Sequence, residues 1–294
     1  MKQEISFKVG GVPEHFNLPW HLAIENNAFL DKGIEIEWED YYGGTGAMMK
    51  DLREKNLDVA VILTEGIVAD ITKGNECKIV QFYVNSPLRW GVHVAANAPY
   101  KTIADLEGST AAISRFGSGS HLMAYVNADE HQWDLKTLSF EVVGNLDGGR
   151  KALAAGKGDY FLWEKFTTKP YVDNGEFRSI GECPTPWPPF VIAVRNEVLL
   201  CHFDKIKTLL DTINESCKAF MKNDRAVQLV TERYGLKEED VRLWFAETEW
   251  TCHSKLNKLQ IEKVQDKLFD LNIINKKASF PELCTDMTPD FITY

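Results

Sequence analysis

No apolar run in this sequence is long enough to span a bilayer, and the opening residues Met1-Lys2-Gln3-Glu4-Ile5-Ser6-Phe7-Lys8 carry charges where a secretory signal needs an unbroken apolar core. The expected location is therefore cytoplasmic. The six cysteines (Cys77, Cys183, Cys201, Cys217, Cys252 and Cys284) are scattered without a Cys-x-x-Cys pair, which argues for reduced thiols and against a disulfide frame or zinc knuckle. Cys201-His202 and Cys252-His253 lack ligand spacing, since adjacent helical residues point apart, so no metal is expected. Positive charge is short as well: 33 Lys+Arg against 43 Asp+Glu leave a net charge of -10 with no basic block, which disfavours nucleic acid and anionic membrane as partners. There is no Gly-x-Ser-x-Gly, P-loop or dinucleotide fingerprint, no low-complexity segment and no long linker. Asn214-Glu215-Ser216 fits a glycosylation acceptor but falls in a predicted helix and reads as chance.

What the chain does have is one structural phrase written twice. Asp51-Leu52-Arg53-Glu54-Lys55-Asn56-Leu57-Asp58 leads into the apolar stretch 59–63 and Glu65, while Lys151-Ala152-Leu153 through Gly156 and Asp159 leads into Tyr160-Phe161-Leu162-Trp163-Glu164. Each reads as a helix, a short turn and a buried strand whose far end delivers a carboxylate, the arrangement expected where two α/β lobes face a common cleft. At 294 residues the chain exceeds what one core usually serves, which agrees with two lobes.

Local patterns supply the rest. Residues 5–9 alternate like a strand, 18–29 carry helical spacing up to the stop at Gly33, and Ile34-Glu35-Ile36-Glu37-Trp38 alternates strictly as a half-wet strand. A helix over 47–55 and a strand over 58–63 complete a β-α-β-α-β unit, which implies a mostly parallel sheet. After the strands 79–83 and 90–95 the grammar restarts: strand 110–114, glycine-rich loop 116–120, helix 121–129, strand 138–143, helix 147–155 and strand 159–163. Pro184-Thr185-Pro186-Trp187-Pro188-Pro189 must run extended. A strand over 190–194 and helical sequence follow, with Ile206, Leu209, Leu210, Ile213, Cys217 and Phe220 on one face, Asp224 and Ser254 as expected N-caps and Gly235 as a stop.

From Phe7 to about Phe203 this order resembles the type 2 periplasmic solute-binding proteins, in the nitrate, sulfonate and taurine branch that also holds the thiamine-pyrimidine-precursor proteins. The segments that carry the resemblance are Leu18-Pro19, Ala28-Phe29-Leu30-Asp31-Lys32-Gly33-Ile34, Gly43-Gly44-Thr45-Gly46, Asp58-Val59-Ala60-Val61 and Asp159-Tyr160-Phe161-Leu162-Trp163-Glu164. It implies an α/β type 2 periplasmic-binding-protein fold: two doubly wound lobes (1–93 with 192–294, and 94–191) joined by crossings at 90–94 and 189–194, with a helical C-terminal portion. It also implies closure on a small ligand by a hinge motion.

Candidate ligand contacts follow, each with a plainer reading. Gly43, Gly44, Thr45 and Ser118, Gly119, Ser120 precede helices, so their backbone N–H groups suit an anion or carbonyl, or simply cap the helix. Thr64, Glu65 and Glu164 end the two closing strands, where a buried carboxylate wants an amine or ring N–H; surface salt bridges are the alternative. Two such acids disfavour a sulfonate or nitrate ligand. Trp163 and Trp187 are read as ring platforms, Phe16 as a further one and Trp90 as hinge packing, although aromatics more often belong to the core. His15 and His121 open a loop and a helix and suit a hydrogen bond or proton transfer, or local structure. Asp147, at the start of the predicted helix 147–155, completes the set. His93, His202 and His253 read as structural.

The resemblance leaves function open between three readings. The first is a non-catalytic binding protein for a small polar, heterocyclic or amine-containing molecule, with no cofactor and no catalytic residue. The second is a cytoplasmic enzyme on the same fold, like the thiamine-pyrimidine synthases or chorismate dehydratases. The synthases' cofactor-bearing lysine and nearby histidine align with Ile62 and Gly66, and their cysteine-rich motif with Cys183-Pro184-Thr185-Pro186-Trp187, so no Schiff base can form at this position; a cofactor-free elimination using a Glu or His base stays open. The third is the receptor of an ABC importer, with a permease as partner if the chain is exported.

Overall fold

The computed structural model describes residues 4–287. Its strands are β1 (Ile5–Gly11), β2 (Ile34–Asp40), β3 (Val59–Leu63), β4 (Cys77–Val84), β5 (Arg89–Ala95), β6 (Thr110–Ile113), β7 (Ser139–Val142), β8 (Tyr160–Glu164), β9 (Phe177–Pro184) and β10 (Phe190–Arg195). The helices are α1 (Leu18–Glu25), α2 (Gly44–Glu54), α3 (Thr64–Thr72), α4 (Gly119–Glu130), α5 (Leu146–Ala154), α6 (Lys165–Asp173), α7 (Asn196–Met221), α8 (Ala226–Tyr234), α9 (Glu238–Glu247), α10 (Lys258–Asp270) and the short α11 (Phe280–Leu283). Two compact units divide them. Unit 1 takes residues 1–86, 187–234 and 247–294; unit 2 takes 87–186 and 235–246.

Both units are wound to one plan. Unit 1 orders its sheet β2-β1-β3-β10-β4 and unit 2 orders its sheet β7-β6-β8-β5-β9. In the first, β1 is parallel to β2 and β3 while β10 runs antiparallel to β3 and β4; in the second, β6 is parallel to β7 and β8 while β5 runs antiparallel to β8 and β9. The sheets are thus mixed where a mostly parallel one was expected, and the crossing segments 90–94 and 189–194 lie in β5 and β10, interior strands of units 2 and 1. Each arrives from the other unit, so neither is bound to the parallel direction that a helical crossover imposes.

The duplicated phrase has a duplicated job. Leu52 and Leu153 are buried, Lys55 (φ 63°) and Gly156 (φ 64°) end α2 and α5 in the left-handed conformation, and an aspartate then precedes each inner strand. Asp58 Oδ2 accepts from the Lys8 amide at 3.0 Å, and Asp159 Oδ2 from the Thr110 amide at 2.8 Å. Each aspartate also donates its own N–H back across the same junction, to the carbonyls of Lys8 and Thr110. The second oxygen of Asp58 meets Arg195 at 2.6 Å and that of Asp159 the Tyr100 hydroxyl at 2.9 Å, so the register of β3 on β1 and of β8 on β6 is pinned by charge-assisted bonds.

Several expected boundaries move. The helix expected over 18–29 ends at Glu25, because Asn27 turns left-handed (φ 57°) and residues 30–32 form a 3-10 turn stopped by Gly33 (φ 72°). Helices α3 and α6 and strand β9 were not visible in the sequence. In α3 all residues but Asp70 are buried, so no wet face marks it, and α6 contains Pro170. Asn257, not Ser254, caps α10, accepting from Leu259 N at 3.0 Å. Among the described residues no helix is long and apolar enough to cross a membrane.

Candidate functional site

In unit 1 the C-terminal ends of β1 and β3 gather four of the expected contacts. A 3-10 turn holds His15 and Phe16, both buried, with the rings stacked at 4.9 Å; the Phe16 carbonyl accepts from the Tyr83 hydroxyl at 2.8 Å and from Trp250 Nε1 at 3.0 Å. Phe16 packs on Phe190, and Phe190 lies opposite Leu63. Directly after Leu63, the extended proline-rich stretch is tied to the first turn of α3. Thr64 donates its hydroxyl to Pro188 O at 2.6 Å and its amide to Pro189 O at 2.8 Å, while Trp187 Nε1 donates to Glu65 Oε2 at 2.8 Å. Prolines contribute no N–H, so their carbonyls are the groups available for this tie.

Glu65 is fully buried. Desolvation pushes its carboxyl up to about 7, with its own amide and Trp187 opposing. Burial alone pulls the His15 imidazole down to about 3, so it is neutral at physiological pH. The Gly43 and Gly44 turn opens α2, with Gly44 left-handed (φ 62°) and open space beside it. Thr45 is buried against Gly66 of α3, a helix-packing contact.

In unit 2 the equivalent edge carries Ser118, Gly119, Ser120 and His121 at the start of α4, and Glu164 at the end of β8. Ser118 caps α4 by accepting from the His121 amide at 3.3 Å, Ser120 Oγ accepts from Ser114 N at 2.9 Å, and the Gly117 amide donates to His121 Nδ1 at 3.1 Å. These bonds shape the loop itself. The His121 ring lies among Phe116, Tyr125 and Phe140. Glu164 is buried and accepts from Thr167 N at 2.6 Å as the N-cap of α6; desolvation again raises its carboxyl to about 7.

Two expected contacts are not brought to this edge. Trp163 stacks on Phe161 (5.2 Å, 25°) and packs on the core of Ala112, Leu153, Phe161 and Phe177. Strand alternation explains it: Trp163 and Phe161 share one face, Glu164 takes the other. Asp147 is exposed and pairs with Arg150 at 2.9 Å on the surface of α5. Conversely, Arg115 drew no expectation and Trp90 only that of hinge packing. Trp90, opposite Glu164 in the β5–β8 register, buries an indole N–H without a hydrogen-bond partner. Arg115, half-buried in the Ser114–Ser120 loop, has no ion-pair partner among the described residues, and desolvation lowers its pKa. Its signal was a lone cation in a loop otherwise made of small residues and Phe116.

A recess of about 270 Å³ lies at the other end of the unit 1 sheet, lined by Arg53, Lys55, Asn75 and Arg195 among others. Its cations are already engaged by Asp70, Glu197 and Asp58, so it offers no free charge to a solute. Among the described residues no cluster of His, Cys, Asp or Glu is placed to hold a metal ion.

Comparison with known proteins bears out the fold. Residues 90–183 match the family model of Ca3427-like periplasmic binding proteins. The Candida albicans CA3427 gene product, described as having the generic periplasmic-binding-protein fold, superimposes with a TM-score of 0.88 at 27% identity, over 99% of this chain and 100% of that one. The chain thus has the type 2 periplasmic-binding-protein fold and is similar to the Ca3427-like proteins over residues 90–183. Two further solved structures share the fold at lower identity. The alkanesulfonate-binding protein SsuA of Xanthomonas axonopodis pv. citri, bound to MOPS, gives a TM-score of 0.81 at 14% identity over 96% of this chain and 99% of its own. The periplasmic aliphatic sulphonate binding protein SsuA of Escherichia coli gives 0.72 at 17% over 95% and 97%. No curated protein matches by sequence. The cytoplasmic location expected above is corrected by these comparisons, in which the matched proteins are described as periplasmic or as bearing the periplasmic-binding-protein fold.

Proposed function

We propose that this periplasmic-binding-type protein captures a small polar solute, heterocyclic or amine-bearing, without transforming it, and delivers it to an ABC permease. One observation carries the reading: in each unit a set of buried polar side chains lies where the parallel strands end and helices begin, His15, Thr64 and Glu65 in unit 1 and Ser118, Ser120 and Glu164 in unit 2. Buried polar groups cost free energy, and open α/β sheets recognise ligands at this edge. Elsewhere, as at Asp58 and Asp159, the polar groups are consumed in holding strands together.

Native mass spectrometry of the purified protein tests the proposal. A retained small molecule is expected, and adding it back should raise the melting temperature by several degrees through binding to the folded state alone. Conversion of that molecule into a product during overnight incubation would replace the binding reading with a catalytic one.

A further inference from the structure

Glu65 is held as though a partner were missing. Its carboxylate is fully buried in the first turn of the nine-residue helix α3, and Trp187 fixes one oxygen at 2.8 Å. The other oxygen, Oε1, has no hydrogen-bond partner among the described residues, and no lysine, arginine or histidine pairs with the group. The donors around it are engaged: the Thr64 amide and hydroxyl are spent on Pro189 and Pro188, the Thr185 amide on Leu88, and the prolines of the stretch carry no N–H. A carboxylate buried in this way is destabilising unless a donor arrives, and a donor that arrives gains a charge-assisted bond in a water-poor setting.

We propose that Glu65 is the specificity-determining residue of unit 1, selecting a solute that presents an N–H donor, as a protonated amine, an amidine or a ring N–H, to its open oxygen. The inference rests on the solute-binding reading and narrows it. Above pH 7, where the Glu65 carboxyl is ionised, sulfonate and nitrate offer only acceptor oxygens, which the carboxylate repels and which leave Oε1 as bare as before. An alkanesulfonate-binding protein and this chain thus share a scaffold, and a shared scaffold leaves ligand choice to individual side chains such as Glu65.

The test is a binding panel at pH 8, where the Glu65 carboxyl is ionised, by calorimetry and thermal shift, on the wild-type protein and Glu65→Gln. Ethanolamine, benzamidine and cytosine serve as N–H donors, methanesulfonate and nitrate as acceptor-only probes. Wild type should bind at least one donor and neither oxyanion. Glutamine keeps an oxygen for Trp187 but replaces the charged acceptor by a neutral amide, so donor affinity should fall about tenfold or more, typical for loss of a charge-assisted bond, and the oxyanions should gain. Trp187→Phe is the second variant. It frees the carboxylate from its fixed orientation and should weaken the donors several-fold without admitting the oxyanions. Oxyanion binding by wild type, or donor affinity unchanged in Glu65→Gln, overturns the role given to Glu65 and leaves the solute-binding reading standing. Failure of every probe on every variant, together with no retained molecule in native mass spectrometry, contradicts both.

Discussion

In each unit a buried acid and a buried histidine have opposed responses to pH, and Glu65→Gln in unit 1 should expose the balance. The Glu65 carboxyl titrates near 7 in the folded state against an ordinary value of 4.5, so its contribution is fully present below 4.5 and is lost as pH rises towards 7. His15 titrates near 3 against an ordinary value of 6.5, so its contribution is present above 6.5 and is lost as pH falls towards 3. Between 4.5 and 6.5 the folded state holds the Glu65 proton that the unfolded chain has released, and the unfolded chain holds a His15 proton that the folded state refuses. The two proton counts cancel, and this pair makes unit 1 stability nearly flat across the window. Removing the acid leaves a histidine-driven slope of about 1.4 kcal/mol per pH unit, or roughly 3 kcal/mol over the window, with the variant gaining as pH rises. Urea unfolding at half-unit pH steps, followed by tryptophan fluorescence, reads this as a difference between wild type and variant, so exposed carboxylates common to both drop out. Parallel wild-type and Glu65→Gln profiles would refute the assignment of buried, oppositely shifted groups. In unit 2, Glu164 near 7 and His93 near 4 form the corresponding pair, and Glu164→Gln should tilt that unit's transition in the same direction.

Three further outcomes are expected. Asp58→Ala should cost about 2 kcal/mol in urea unfolding, more than Asp159→Ala, because it leaves the largely buried Arg195 guanidinium only the longer Glu197 pair and the Leu57 carbonyl, whereas Asp159 releases a tyrosine hydroxyl and an amide; equal costs would contradict the ion pair's part in the clamp. Trp187→Phe should raise the Glu65 titration further, as followed by carbon-13 NMR of the carboxyl, since the indole N–H favours the ionised form; an unchanged midpoint would mean that the bond does not form in solution. Asn257→Ala should lose about 1 kcal/mol by uncapping α10, whereas Ser254→Ala should change stability by a few tenths, and the reverse order would return the cap to Ser254.

Much of the fold was legible because it is written locally. The strict alternation of Ile34-Glu35-Ile36-Glu37-Trp38 reports a strand with one wet face, and β2 is that strand. The duplicated Leu, turn and Asp phrase reports two similarly wound units, because the same backbone junction needs the same carboxylate. Helix α3 was not legible for the opposite reason: a helix buried on nearly every side has no polar stripe and reads as a continuation of the apolar strand before it. The direction of β5 and β10 escaped for want of any local signature, since strand polarity depends on where the chain arrives from.

The candidate site divides along the same line. The residue types at the ends of β3 and β8 follow from position: a strand that stops at a helix start leaves Glu65 and Glu164 at the sheet's ligand edge, and counting along the chain finds them. The partners do not follow from counting. Trp187 reaches Glu65 from 122 residues away, Trp163 turns to the core while Trp90 buries an indole N–H, and Asp147 stays on the surface. Sequence by itself determined the elements, their order and the doubling of the plan, because those rest on contacts a few residues long. Only the tertiary structure decided which polar groups are satisfied and which are left open, because burial and hydrogen bonding are properties of what the distant chain brings alongside.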